Sequence, residues 1–321
     1  MRRDVLRKAV IFSVSAAVLF FSVRYIFFTF QWDAIAGMMM RVNLARMIAA
    51  GGLTILFYWF LRTLRWFLML RRLGIHVRLI DLYLCTAISL SLAIFTPIQS
   101  GEALKVELLK KAGSMNRAPG YGSFVLERYL DFCAVILLAS VSLSAHLADM
   151  GKGSWALYLL STLAALVAAL MVLCQWQFRG RLHEIQQNII QCINDPWTVM
   201  FLAGLTFLGW AVVALGWRIS LQSLGIEIDL PRSLALMSVI TIINILSFIP
   251  GAVGISEAGI AGFLLRLGKD AVAAQAGALI IRCYGLLIVI LGVVHLVFWR
   301  RRMASRAKRL AGRWRSLAER G

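Results

Sequence analysis

Acidic residues are scarce in this chain: 15 Asp and Glu stand against 34 Lys and Arg, for a formal net charge of +19. In a soluble protein that imbalance would point to nucleic acid. Cysteine is sparse too. Cys85, Cys133, Cys174, Cys192 and Cys283 are scattered, with no CxxC spacing. That pattern excludes a disulfide framework and a structural metal site. The four histidines, His76, His146, His183 and His295, lie far apart and read as packing or interface residues. No GxxxxGK[ST] loop occurs, so ATP does not act directly on this chain. Period-two patterning with turn signals, the mark of a membrane barrel, is missing. No small-x-small cleavage site follows the first apolar stretch, which runs to about Phe30, so it reads as a retained helix and not a signal peptide. No intramembrane aspartate pair, His/Asp cluster or nucleophile with a base is found. No catalytic residue, metal or cofactor is therefore assigned.

What the chain does hold is apolar length. Hydrophobic residues make up 60% of it, where soluble chains sit nearer half. Apolar segments near 9–30, 44–70, 79–96, 121–147, 154–177, 198–222, 233–249 and 271–298 reach or approach the roughly 18 residues of a membrane-crossing helix. The fold class is an all-α polytopic membrane protein. In this context the positive charge belongs to cytoplasmic loops, not to a nucleic-acid interface.

An internal repeat organises the segments. "WFLRTLRWFLMLRRLGI" (59–75) aligns with "WAVVALGWRISLQSLGI" (210–226). Each has tryptophans seven apart, Trp59/Trp66 and Trp210/Trp217, and each ends in Leu-Gly-Ile. Each then leads through an apolar run to a proline, a glycine-containing loop and a glutamate: Pro97, Gly101 and Glu102, then Pro250, Gly251, Gly254 and Glu257. An arginine inside a later apolar helix closes the unit, Arg128 or Arg282. The repeats cover about 59–137 and 210–291 within a membrane domain of 1–298. Residues 299–321 form a basic tail, with nine Lys or Arg from Arg300 onward. Leu310, Trp314 and Leu317 give that tail an amphipathic spacing suited to an anionic leaflet.

Charge placement sets the orientation. If 79–96 crossed the membrane, Lys105, Lys110, Lys111 and Arg117 would lie outside and the loop holding Glu227 and Asp229 inside. If instead 79–96 enters, breaks at Pro97 and returns along 102–111, the basic loops and both termini are cytoplasmic. The same reading makes 233–249 and 257–267 a second re-entrant hairpin. About six full spans then accompany two hairpins, and the repeats are inverted. Inverted repeats with broken helices meeting near the midplane characterise transporters.

The broken and charged positions follow from this arrangement. Backbone freed by Pro97, Gly101, Pro250, Gly251 and Gly254 is tolerated in a membrane only inside protein or beside a watery cavity. Arg128 and Arg282 need partners at membrane depth. Glu102 and Glu257 are those partners by repeat logic, or they cap the short helices that begin there. The first unit adds Glu127 and Asp131 in "ERYLD", where the second reads "IRCYG". Two readings stay open for the pairs: buried ion pairs that lock the hairpins, or groups that also line a substrate or proton path. Lys105, Lys110 and Lys111 are either plain positive-inside residues or phosphate attractors, with Lys105 the candidate for head-group attraction.

As a set, P-x-x-x-G-E at 97–102, E-R-x-x-D at 127–131, P-G-x-x-G-x-x-E at 250–257 and Arg282 resemble the flippase-like transmembrane family typified by the membrane domain of lysylphosphatidylglycerol synthase. The resemblance covers about 45–298. It implies a bacterial inner-membrane protein that moves an anionic phospholipid or lipid-linked head group between leaflets, through Glu102, Glu127, Arg128, Asp131, Glu257 and Arg282. Ala252 stands where the family often has a second glycine, which is expected to stiffen that loop. The tail is too short for a synthase domain, so the resemblance implies the translocating half alone. A membrane-embedded lipid or polyprenol transferase, or a non-transporting partner in envelope biogenesis, are the rival readings. A homo-oligomer is compatible with any of them.

Overall fold

The computed structural model describes residues 20, 24, 26–148, 183–246 and 249–318. The span expected over 154–177, and most of that over 9–30, lie outside these residues. Every regular element among the described residues is helical. They are α1 (Trp32–Met39), α2 (Leu44–Arg72), α3 (Leu79–Ala93), α4 (Leu104–Lys111), α5 (Arg117–Ala148), α6 (His183–Ile193), α7 (Pro196–Ser223), α8 (Leu230–Leu246), α9 (Ile255–Arg266) and α10 (Ala271–Ala318). Helices α2, α7 and α10 are long and apolar enough to cross a membrane. Helices α3 and α8 are apolar but shorter. The chain is an all-helical polytopic membrane protein.

The matching stretches of sequence fold alike at their stops. Helix α2 ends at Leu73 and Gly74 (φ 72°), and the Ile75 amide returns to the Leu70 carbonyl at 2.9 Å. Helix α7 ends at Leu224 and Gly225 (φ 80°), with the Ile226 amide on the Leu221 carbonyl at 3.0 Å. Both are glycine stops that satisfy the last carbonyls of a helix. The paired tryptophans pack inward: Trp59, Trp66 and Trp210 are buried, and the Trp66 indole donates to Ser123 Oγ at 2.9 Å.

Each stop feeds a helix, a break and a second helix. The first hairpin is α3, a 3₁₀ turn over Pro97–Ala103, and α4. The second is α8, a short 3₁₀ turn over Pro250–Ala252, and α9. The hairpins are rooted in different apolar clusters. Val77, Leu82, Leu109 and Met115, from both limbs of the first, pack with Leu70 and Trp299. Leu224, Ile228, Ile260 and Leu264, from around the second, pack with Ile35 and Ala273. Arg302 of α10 reaches Asp81, at the start of α3, at 2.8 Å. Asn43, before α2, donates its amide to the Ser223 carbonyl at the end of α7 at 2.9 Å. The two breaks touch one another.

Helix α10 braces the first hairpin. A Cβ on Gly292 would fall 2.0 Å from Ser91 Oγ, so α3 and α10 approach as closely as they do only because that residue is glycine. Ser91 Oγ donates across the contact to the Ile288 carbonyl at 3.1 Å. Helix α10 then continues unbroken past the boundary expected at 298/299. At 48 residues it is about 72 Å long, well beyond a bilayer of about 40–45 Å. The first part of the basic tail is therefore an extension of the last helix and not a separate element.

Candidate functional site

Helix α2 carries two nearly fully buried arginines, Arg62 and Arg65, one turn apart. They face the carboxylates of the first hairpin and of α5. Arg62 donates through Nη2 to both oxygens of Glu102, at 2.7 and 2.8 Å, and also pairs with Asp131. Arg65 Nη1 reaches Asp131 Oδ1 at 2.7 Å and Thr206 Oγ1 on α7 at 2.6 Å. Its other terminal nitrogen lies 3.4 Å from Glu127. Lys105 pairs with Glu127, its ammonium 4.5 Å from the centre of the Trp66 ring. That is a cation–π contact reinforcing an ion pair.

Arg128 is the member of this cluster that opens outward, with 24% of its side chain exposed. It pairs with Glu102, and Nη2 meets Asp131, one turn further along α5, at 2.6 Å. Its Nη1 donates to Gln99 Oε1 at 3.2 Å. Gln99 sits in the break with φ at 55°, a left-handed conformation that a non-glycine residue adopts under strain. The cluster thus ties α2, the first break, α5 and α7 into one unit.

The second break holds a smaller version. Arg282 pairs with Glu257, donates through Nη1 to the Gly251 carbonyl at 2.8 Å, and through Nη2 to Ser256 Oγ at 3.0 Å. The other oxygen of Glu257 accepts from the Gly254 amide at 2.6 Å. This carboxylate therefore does both things the sequence allowed: it caps α9 and it balances an arginine. Gly251 and Gly254 stand at φ 67° and 88°, so the break needs glycine there. Ala252 between them is at φ 45°, forced into the same region despite its Cβ.

Both glutamate–arginine pairs expected from the repeat form, Glu102 with Arg128 and Glu257 with Arg282. Glu102 differs from Glu257 in that it caps nothing; both its oxygens go to arginines. Pro97 and Pro250 each open their 3₁₀ turn. Gly101 is packed so tightly that a Cβ would fall 3.0 Å from the Ala93 nitrogen and the Leu92 carbonyl carbon. Lys105, read from the sequence as a positive-inside residue or a phosphate attractor, is buried and paired with Glu127. The side chain turns inward because an unpaired Glu127 would cost several kcal/mol at that depth. Arg62, Arg65, Gln99 and Ser256 escaped the sequence reading. For the two arginines the signal was present: both interrupt the apolar run 44–70, as Arg128 interrupts its own.

At the surface end of the first hairpin, Glu107 accepts from Arg117 Nε and Nη2, each at 2.9 Å, and from the Tyr121 hydroxyl at 3.0 Å. These bonds, Arg117's first, hold its carboxyl below the ordinary glutamate range.

Helical spans, touching breaks and ion pairs buried at their tips define a polytopic membrane protein with a charged centre. The chain belongs to a family: the model described as the lysylphosphatidylglycerol synthase TM region matches residues 9–292. No curated protein matches the chain, and no solved structure does.

Proposed function

We propose that this protein moves a phospholipid or lipid-linked head group between the leaflets of a bacterial inner membrane. The observation that carries the reading is the meeting of two broken hairpins, each with a partly exposed arginine at its tip. Backbone breaks and ion pairs at membrane depth have a physical reason to exist beside a polar path and little reason to exist facing lipid. In this reading the two units are inverted repeats, entering from opposite faces. The separate apolar clusters at their roots favour that arrangement. The loop 71–78, both termini and the basic end of α10 face the cytoplasm. Arg128 faces the head group and Arg282 lines the path at the second break; Glu102, Glu127, Asp131 and Glu257 balance them or pass a proton. Exchange runs downhill or is coupled to an ion. Family membership supports a lipid-related role.

Reconstitution into vesicles with a head-group-labelled fluorescent phosphatidylglycerol tests this. Leaflet exchange should accelerate over protein-free vesicles, and the acceleration should fall in Arg128→Gln. Exchange no faster than in empty vesicles, across several anionic head groups, would contradict it.

A further inference from the structure

The two charged centres differ in balance. At the second break one arginine faces one carboxylate, Arg282 and Glu257. At the first, Arg62, Arg65, Lys105 and Arg128 face Glu102, Glu127 and Asp131. Counted as ionised, four cations meet three carboxylates among the described residues, and within that set the cluster holds one uncompensated positive charge. Such an excess at membrane depth is costly unless an anion completes it.

The partners also differ in how readily they yield. Arg282 holds the Gly251 carbonyl, and giving it up would strand a backbone acceptor in the break. Arg128 holds the neutral side chain of Gln99, which can swing aside without disturbing the backbone. The carboxylates offer nothing to a cation. Among the described residues, Asp81, Glu102, Glu127, Asp131 and Glu257 are the buried carboxylates, and all are ion-paired.

We infer that the first centre is a site for a single phosphodiester anion, bound by Arg128 in place of Gln99, and that it discriminates against head groups carrying an added amino-acid cation. A phosphodiester brings the cluster to neutrality. A lysyl head group, with two ammonium groups outweighing one phosphate, would leave it more positive than before, and every buried carboxylate among the described residues is already ion-paired. Arg282 is a clasp for the second break and not an anion site. This inference rests on the proposed lipid path and names the class of cargo for it.

The test uses the full chain in non-ionic detergent, titrated with dihexanoyl-phosphatidylglycerol, the lysyl ester of that lipid, and inorganic phosphate, with binding read from intrinsic tryptophan fluorescence. Saturable binding of phosphatidylglycerol is expected, with the lysyl ester and inorganic phosphate each weaker by about tenfold or more, the scale of one charge-assisted bond. Arg128→Gln should weaken the phosphatidylglycerol complex by about tenfold. Glu102→Gln, which raises the excess charge, should tighten it. Arg117→Gln, at the surface, should change nothing. Equal binding of the lysyl ester, or indifference to both Arg128→Gln and Glu102→Gln, would overturn the inference. So would inorganic phosphate binding as tightly as the lipid, which would assign the site to free phosphate. Binding that behaves as expected while no lipid crosses in vesicles would sink the translocation reading and leave this one standing. Lipid exchange untouched by Arg128→Gln would do the reverse.

Discussion

Arg282 donates to the Gly251 carbonyl at 2.8 Å while pairing with Glu257, so one guanidinium on α10 grips the second break and the helix that follows it. Replacing it by glutamine strands a largely buried carboxylate and a backbone acceptor together. Removing one partner of a buried pair costs about 3–5 kcal/mol; with 30% of the Arg282 side chain exposed, the low end applies. Thermal unfolding in detergent should show a marked loss of stability, and limited proteolysis should open the chain near residue 251.

Ala252 predicts an unusual tolerance. An alanine at φ 45° carries steric strain that glycine would not. Relief of about 1–2 kcal/mol offsets the roughly 0.5–1 kcal/mol of backbone entropy that glycine costs. Ala252→Gly should therefore leave stability unchanged or slightly raised, whereas Ala252→Val should lower it. A clear loss in Ala252→Gly, by unfolding in detergent, would show that the strain is not there.

Lys105 and Glu127 form a pair whose removal should be non-additive. Either Lys105→Met or Glu127→Gln leaves a charge without its nearest partner, and each should cost about 3 kcal/mol or more. The double variant should recover part of that loss, because only Arg65 then misses a partner, at its longer 3.4 Å contact. A double-mutant cycle on unfolding midpoints measures the coupling.

Asp195 gives a pH prediction at the surface. Its side chain is held below the ordinary aspartate range by the hydrogen bond from Thr198, at 2.7 Å, and then by the Trp197 amide and Arg72. A depressed carboxyl contributes stability above its unfolded value, near about 3.9, and loses it as the pH falls through the folded value. The α7 cap and the Arg72 contact should therefore persist at neutral pH and weaken only in strong acid. Asp195→Ala should lower the unfolding midpoint at pH 7, through loss of the helix cap, and that difference from the parent protein should vanish in strong acid.

Much of this was legible in the sequence, and the reasons differ by element. Helices α2, α7 and α10 follow from apolar length alone. The breaks follow from Pro97 and Pro250 together with the glycines beside them, because proline removes an amide donor and crowds the preceding turn. The pairs of Glu102 with Arg128 and Glu257 with Arg282 follow from repeat logic plus the cost of lone charge. What could not be read was which helix supplies additional partners. Arg62 and Arg65 sit 40 or more residues upstream of the carboxylates they meet, and only the packing of α2 on the first hairpin brings them together. The burial of Lys105 was hidden for the same reason. Its neighbours in sequence are surface lysines, but its helix face points at Glu127. The unbroken run of α10 to Ala318 was hidden by composition, since a basic stretch can be an extended helix or a separate one.

The account turns on two hairpins entering from opposite faces. Single cysteines at Lys110 and Asp229, in a chain otherwise freed of cysteine, can be labelled with a membrane-impermeant maleimide in sealed vesicles of known orientation. The account predicts that one position reacts from the cytoplasmic side alone and the other from the external side alone. Labelling of both from the same side would contradict it.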